Sequence, residues 1–418
     1  MNILETVKKH EAQMLAERRY LHANPELSGQ ETQTADYVVA QLDALGMNIH
    51  IVPNGGVIGV LNEKKEGPCV LLRADIDALP IQESEENLKG PRSVMSSNPG
   101  VMHACGHDAH TAMLLCAARV LSQMKEELAG SVLFVFERGE EIGGKGFIEN
   151  LLPYIEEKFS VDACYATHVR WDIPAGRMLV LDGPVMAGAF GFDVTIHGQS
   201  GHGSRPDLAC SPIDCFCAIH QQANALRMRV VDPEQVLTYS LGVVKAGEQK
   251  NIIPDSLRFA GTVRTYDVAG SGERFASDLR KIIDSACAAH GCEAEYHAFT
   301  RPIYETRNHP QAAKLARQAI AKHVGADTLI DGTRWMATES MSAYLRLWPG
   351  VLSFTGIRNE ALGCGANHHT PQFDVDEAAL TPGAAAACAF AVEYLSSRPE
   401  MDFRRDIVSM QDLVTRCL

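Results

Sequence analysis

The sequence predicts an α/β fold: a catalytic domain with a mostly parallel mixed sheet flanked by helices, interrupted by an inserted α+β domain. Three observations predict it. The runs Cys69-Val70-Leu71-Leu72 and Ser131-Val132-Leu133-Phe134-Val135-Phe136 are continuously apolar, as strands buried on both faces should be. Stretches of helical periodicity alternate with such runs up to about Gly183. Beyond that point the pattern changes to half-exposed strands and amphipathic helices in the order β-α-β-β-α-β.

The elements follow in order. To about Leu45 the apolar residues recur at helical spacing. Strand-like runs then cover 48–52, 57–61 and 69–73. Residues 110–124 read as a helix, 131–136 as a strand, 143–152 as a helix, and 161–166 as another apolar run. In the middle section 190–197 alternates like a half-exposed strand. Residues 211–229 are helical, with Pro212 suited to a helix start. Strands are expected at 235–244 and 256–264, a helix at 273–290 and a strand at 292–298. The expected division is residues 1–183 and 302–418 for the catalytic domain and 184–301 for the insertion.

Composition narrows the class of function. The chain has 418 residues, 46% hydrophobic and 22% charged, the balance of a globular protein of two or three domains. A net charge of -14 disfavours nucleic acid and anionic membrane as partners. The N-terminal segment carries charge throughout, unlike a signal peptide, and no window of 18 residues is apolar and uncharged throughout. No membrane span and a cytoplasmic location are therefore expected. Most of the twelve cysteines, such as Cys116 and Cys388, sit in apolar runs and read as reduced core residues.

Five segments carry chemistry. His103-Ala104-Cys105-Gly106-His107-Asp108 concentrates thiol and imidazole, which are good ligands for zinc and its neighbours. A buried Cys beside a helix start, with Asp108 as the cap, is the alternative. Asp75 and Asp77 follow the first buried strand, where α/β folds place ligands; Asp77 reads more readily as a solvated loop charge or cap. Glu140 and Glu141 follow the second buried strand. Adjacent carboxylates repel, and a metal offsets that if one coordinates it and the other acts as a base; an exposed acidic turn is the plain alternative. His168 ends another apolar run, and His368-His369 lies far down the chain.

These segments, with Arg19-Tyr20-Leu21-His22-Ala23-Asn24-Pro25-Glu26-Leu27-Ser28, Leu72 to Pro80, Met102 to Ala112 and His369-Thr370-Pro371-Gln372-Phe373, are similar to motifs of a known family. Over nearly its whole length the chain resembles the metal-dependent aminoacylase and carboxypeptidase-G-type hydrolases. It looks closest to their amidohydrolase branch, with its hippurate hydrolases, N-acyl-amino-acid amidohydrolases and indole-acetyl-amino-acid hydrolases. The resemblance implies a small-molecule substrate with a C–N bond to hydrolyse. It implies two divalent metal ions, Mn or Zn with Co or Ni as substitutes, held by Cys105, His107, Glu141, His168 and His369. Glu140 is then the general base, and Asp75 the carboxylate that orients a metal-bound imidazole. The inserted domain becomes a lid that makes a homodimer or higher homo-oligomer. Its Gly198-Gln199-Ser200-Gly201-His202-Gly203 motif implies that His202 stabilises the oxyanion, and further motifs make Asn251 and Arg264 substrate candidates.

The chain departs from the branch around this machinery. Phe136-Glu137-Arg138-Gly139 replaces Phe-Gln-Pro-Ala, Pro206-Asp207 replaces Pro-His, and Thr338-Glu339-Ser340-Met341 replaces Ser-Glu-Asp-Phe. The expectation is an unusual substrate, with Arg138, Arg170 and Arg205 as carboxylate binders and Trp171 as a stacking surface. The rival functions are an aminohydrolase releasing ammonia from an aromatic amine, a non-catalytic metal-containing binding protein, and a hydrolase using Cys105 as nucleophile.

Overall fold

The computed structural model describes residues 2–143 and 146–416. The chain forms two compact units. The first comprises Met1–Gly183, Arg307–Thr333 and Glu339–Leu418, and the second Pro184–Thr306 and Arg334–Thr338. The short return of the chain at Arg334–Thr338 has no counterpart in the sequence pattern.

The first unit is built on a seven-stranded mixed sheet. Its order is Asn48–Val52, Gly56–Leu61, Ser131–Glu137, Cys69–Asp75, Ala163–Pro174, Gly350–Arg358 and Met178–Leu179. The four strands from Ser131–Glu137 to Gly350–Arg358 run parallel, and the outer pairings are antiparallel. Every residue of Cys69–Asp75 is buried, which is why its sequence is continuously apolar until Arg73. Because the central strands are parallel, their C-terminal ends share one edge of the sheet. Asp75 and Glu137 are register partners there.

Helices cover both faces. His107–Gln123 is buried for almost its whole length and packs against Glu11–Ala23 and Leu380–Ser397. The segment Glu377–Ser397 is long and apolar enough to cross a membrane by composition, but 78% of its apolar window is buried inside the protein. It reads as a core helix. The helix expected over 143–152 is observed as Ile148–Lys158; residues 144 and 145 lie outside the described residues.

The second unit has a four-stranded antiparallel sheet ordered Leu237–Ala246, Ser256–Thr265, Gly188–His197 and Glu293–Phe299. Gly188–His197 alternates between buried and half-buried positions up to its last residue, the exposed His197. Its buried side, Phe190, Phe192, Val194 and Ile196, packs with residues of the helices Pro212–Val230 and Glu273–Ala289. Ser211 caps the first of these helices by accepting from Asp214 N, with Pro212 in the first turn.

Candidate metal centre

The C-terminal edge of the parallel strands and the loops beyond it gather the chemistry. Gly106 breaks the chain between Cys105 and His107 with φ +90°, a left-handed conformation natural to glycine. A Cβ there would lie 2.4 Å from Val169 Cγ2. This tight turn starts the helix at His107 and sends the Cys105 and His107 side chains to one place. His369 also adopts a left-handed backbone, φ 60°, rare for a non-glycine residue. Its amide, donating to Ala104 O at 2.9 Å, bolts it to the same loop.

The resulting cluster is dense. The ligand atoms of Cys105, His107 and His168 lie within 4.8 Å of one another, as do those of Cys105, Glu141 and His369, and those of His107, Glu140 and Glu141. Cys105 Sγ is 3.6 Å from His168 Nε2. Glu141 Oε1 is 3.7 Å from His107 Nε2 and 3.4 Å from His369 Nε2. Two of these atoms, His107 Nε2 and Glu141 Oε1, are buried without a hydrogen-bond partner. Buried polar atoms are normally paired, so orphans facing one another among a thiol and carboxylates fit a divalent cation between them. The donor set therefore suits the metals that the sequence implies.

Electrostatics points the same way. Burial, and next the negative charge of Glu141, push the Cys105 thiol well above its ordinary range. A reactive cysteine nucleophile needs the opposite shift. Burial, then the charges of Glu339 and Glu141, raise the Glu140 carboxyl well above the usual carboxylate range. An excess of acid in a dry site calls for cations.

The carboxylate holding His107 is Asp77, not Asp75. Asp77 Oδ1 is 3.0 Å from His107 Nδ1, and its Oδ2 accepts from Ser28 Oγ and Glu141 N. Asp77 is buried, so its reading as a solvated loop charge is also corrected. Asp75 instead faces His110 Nδ1 at 2.6 Å and Arg73 Nη1 at 2.8 Å. The chain turns just after the strand ends at Asp75, so strand alternation no longer says which acid faces which imidazole. Asp108 is no helix cap, since Gly106 holds that position; its carboxylate takes Arg18 Nε and His22 Nδ1, both at 2.8 Å.

Three arginines expected to bind substrate are held within the protein. Arg138 donates to Glu31. Arg170 pairs with Asp172 through two bonds of 2.7 and 2.9 Å and donates to Thr333 O. Arg205, on the surface, pairs with Asp207. Trp171 is half-buried beside Arg170. In the second unit, His202 and Asn251 are exposed and Arg264 donates to Met336 O at 3.0 Å.

Several residues at the site take roles that the sequence does not assign to them. His110 lies three residues after His107 on the same helix, a spacing that puts both on one face. Its Nε2 accepts from Val169 N at 2.9 Å, so the ring proton is on Nδ1, which donates to Asp75. Glu339 is buried 3.1 Å from Arg73 Nη1 and 4.0 Å from His168 Nε2, and Glu31 holds the Gly139 amide. No local signal announces these long-range partners.

A parallel α/β sheet that delivers a thiol, imidazoles and paired glutamates to one edge is the framework of a hydrolase acting on C–N bonds. The chain belongs to peptidase family M20/M25/M40, whose family model matches residues 71–393. It is 33% identical to thermostable carboxypeptidase 2 of Saccharolobus solfataricus, covering 93% of this chain and 97% of that one. It is 33% identical to IAA-amino acid hydrolase ILR1-like 5 of Arabidopsis thaliana, covering 93% and 89%. Among solved structures it is similar to the Bacillus subtilis YXEP protein, a dinuclear metal binding peptidase of this family. That likeness has a TM-score of 0.77 at 29% identity and covers 93% of this chain and 99% of that one.

Proposed function

We propose that the protein hydrolyses the amide of an N-acyl amino acid or a related small aromatic amide. Cys105, His107, Glu141, His168 and His369 hold two divalent metal ions, and Glu140 is the general base. The observation that carries this reading is the pair of orphaned atoms His107 Nε2 and Glu141 Oε1, 3.7 Å apart. When bound, two such ions polarise the amide carbonyl and make water a stronger acid. A thiolate among the ligands suits zinc, while the family resemblance favours manganese.

The chain's own groups do the rest. Glu140 takes the proton of the attacking water and passes it to the leaving nitrogen. Asp77 fixes the His107 ring through Nδ1 and leaves Nε2 as the ligand atom. Ser204 N donates to His202 Nδ1 at 3.1 Å, which puts the His202 proton on Nε2. That N–H suits the carbonyl oxygen as it gains negative charge, whether in the same or a partner subunit. Arg264 is the better candidate for a substrate carboxylate than Arg138, Arg170 or Arg205. Burial lowers its pKa, and its hydrogen bond to Met336 goes to a neutral carbonyl. The exposed Val244 on the edge strand Leu237–Ala246 supports a homodimer through the second unit. Among the described residues eleven cysteines are free thiols, a state that a reducing compartment maintains.

The test is turnover by the Mn- or Zn-reconstituted protein across N-acyl amino acids, small amides and aromatic amines. Glu140→Gln is expected to lower kcat about 10²- to 10⁴-fold while metal still binds. Substantial turnover by that variant refutes the role of Glu140. Ammonia release from aromatic amines without amide cleavage replaces the reading with an aminohydrolase.

A further inference from the structure

We propose that Ser340 is a positioning residue that fixes the orientation of Glu140, an inference that rests on reading Glu140 as the base. Ser340 is 6% exposed and stands at the start of the short helix Met341–Leu347. Arg73 Nη2 donates to its Oγ at 2.7 Å, and Oγ donates to Glu137 Oε1 at 2.7 Å. Arg73 Nε closes the ring by donating to Glu137 Oε2 at 2.9 Å. Glu339 Oε1, at 3.4 Å from Oγ, is the more distant acceptor. The single hydroxyl proton is thus committed, and the side chain is pinned between a guanidinium and a carboxylate that are both buried.

Pinning the side chain also pins the backbone of residue 340. Its N–H donates to Glu140 Oε1 at 3.0 Å. One oxygen of Glu140 is therefore held and the other is left for proton transfer. A carboxylate free to rotate would spend part of its time misaimed, and misplacement of about 1 Å costs roughly a hundredfold in rate. The amidohydrolase branch has Asp where this chain has Ser340. An ionised Asp could not donate to Glu137 and would add another acid around Arg73, which already faces Asp75, Glu137 and Glu339. Serine supplies the missing donor, so this departure bears on the base and not only on packing.

The experiment compares Ser340→Ala, Ser340→Thr and Glu140→Gln in the metal-reconstituted protein on one N-acyl amino acid that the wild type turns over. Ser340→Ala is expected to lower kcat about 10- to 100-fold. KM and the metal affinity measured by calorimetry should each stay within about twofold, because neither substrate nor metal is held by Ser340. Ser340→Thr, which restores the hydroxyl, should recover most of kcat. Ser340→Cys, nearly isosteric with a weaker donor, replaces whichever variant fails to fold and is expected to fall between Ala and wild type. Wild-type kcat in Ser340→Ala, with only a lowered Tm, overturns the proposal, as does a loss expressed wholly in KM. If Glu140→Gln is inactive while Ser340→Ala is unimpaired, only the role of Ser340 fails. If Glu140→Gln stays active, the reading of the base fails first.

Discussion

Asp77→Asn is the sharpest probe of the metal centre, because it changes one atom at nearly constant volume. Asp77 accepts from three donors: the buried His107 Nδ1 at 3.0 Å, and the part-buried Glu141 N at 2.9 Å and Ser28 Oγ at 2.7 Å. An asparagine can accept on one side only. With its oxygen toward His107, its NH2 confronts the Glu141 amide. Turned round, the NH2 drives the His107 proton onto Nε2, the atom needed for the metal. The first orientation strands the Glu141 N–H at a cost of about 1–3 kcal/mol to the fold, and the second puts its cost on the metal site. Losing the carboxylate behind a ligand imidazole weakens metal binding about 10- to 100-fold, or about 1.4–2.7 kcal/mol. Calorimetric titration with Mn or Zn measures the second quantity, and urea unfolding of the metal-free protein measures the first. Asp75→Asn is the comparison: Asp75 contacts His110 and Arg73 and has its Oδ2 3.7 Å from His107 Nε2, so it should cost the fold and take a smaller share of metal affinity than Asp77→Asn. Metal affinity within about twofold of wild type in Asp77→Asn, or a larger loss in Asp75→Asn, refutes the assignment.

Gly106→Ala should destabilise the metal-free protein by about 2–5 kcal/mol. Left-handed strain supplies about 1–2 kcal/mol and the clash with Val169 about 1–3 kcal/mol. Thermal unfolding checks this, and adding Val169→Ala should recover only the clash portion. His22→Gln should show a pH-dependent loss of stability. Burial and Arg18 lower the His22 pKa, but hydrogen bonds to Asp108 and Glu83 outweigh them and leave it raised. The protonated ring therefore stabilises the fold fully below its unfolded pKa of about 6.5, and that contribution is lost as pH rises through the raised folded value. Urea unfolding at several pH values should show the wild type's advantage shrinking toward alkaline pH. An advantage independent of pH contradicts it.

The parallel centre of the sheet is legible because burial on both faces leaves an unbroken apolar run, as in Ser131 to Phe136. The second unit is legible because one face of Gly188–His197 is covered, which writes alternation into the sequence. Residue types and their placement at strand ends pick out the groups that the structure gathers around Cys105. The choice between Asp75 and Asp77 is not legible, because it depends on how the chain turns after the strand. The internal pairing of two arginines was open to reading. Arg170-Trp171-Asp172 and Arg205-Pro206-Asp207 each place an acid two residues away, within reach of a two-bond pair. Glu31, Glu137 and Glu339 gain their roles only from residues far along the chain, so no local pattern reveals them.

The Ala163–Pro174 strand pairs in parallel with Cys69–Asp75 on one side and with Gly350–Arg358 on the other. All of the second unit is encoded between those last two strands. On the ribosome, one apolar edge therefore waits for its neighbour while roughly 175 residues are added, on the order of ten seconds or more. An unpaired edge of that kind is a template for the wrong strand. The inserted unit has its own core, so it can close during the wait without supplying a competitor. The newborn chain is at greatest risk of aggregation in that interval, before its last central strand emerges.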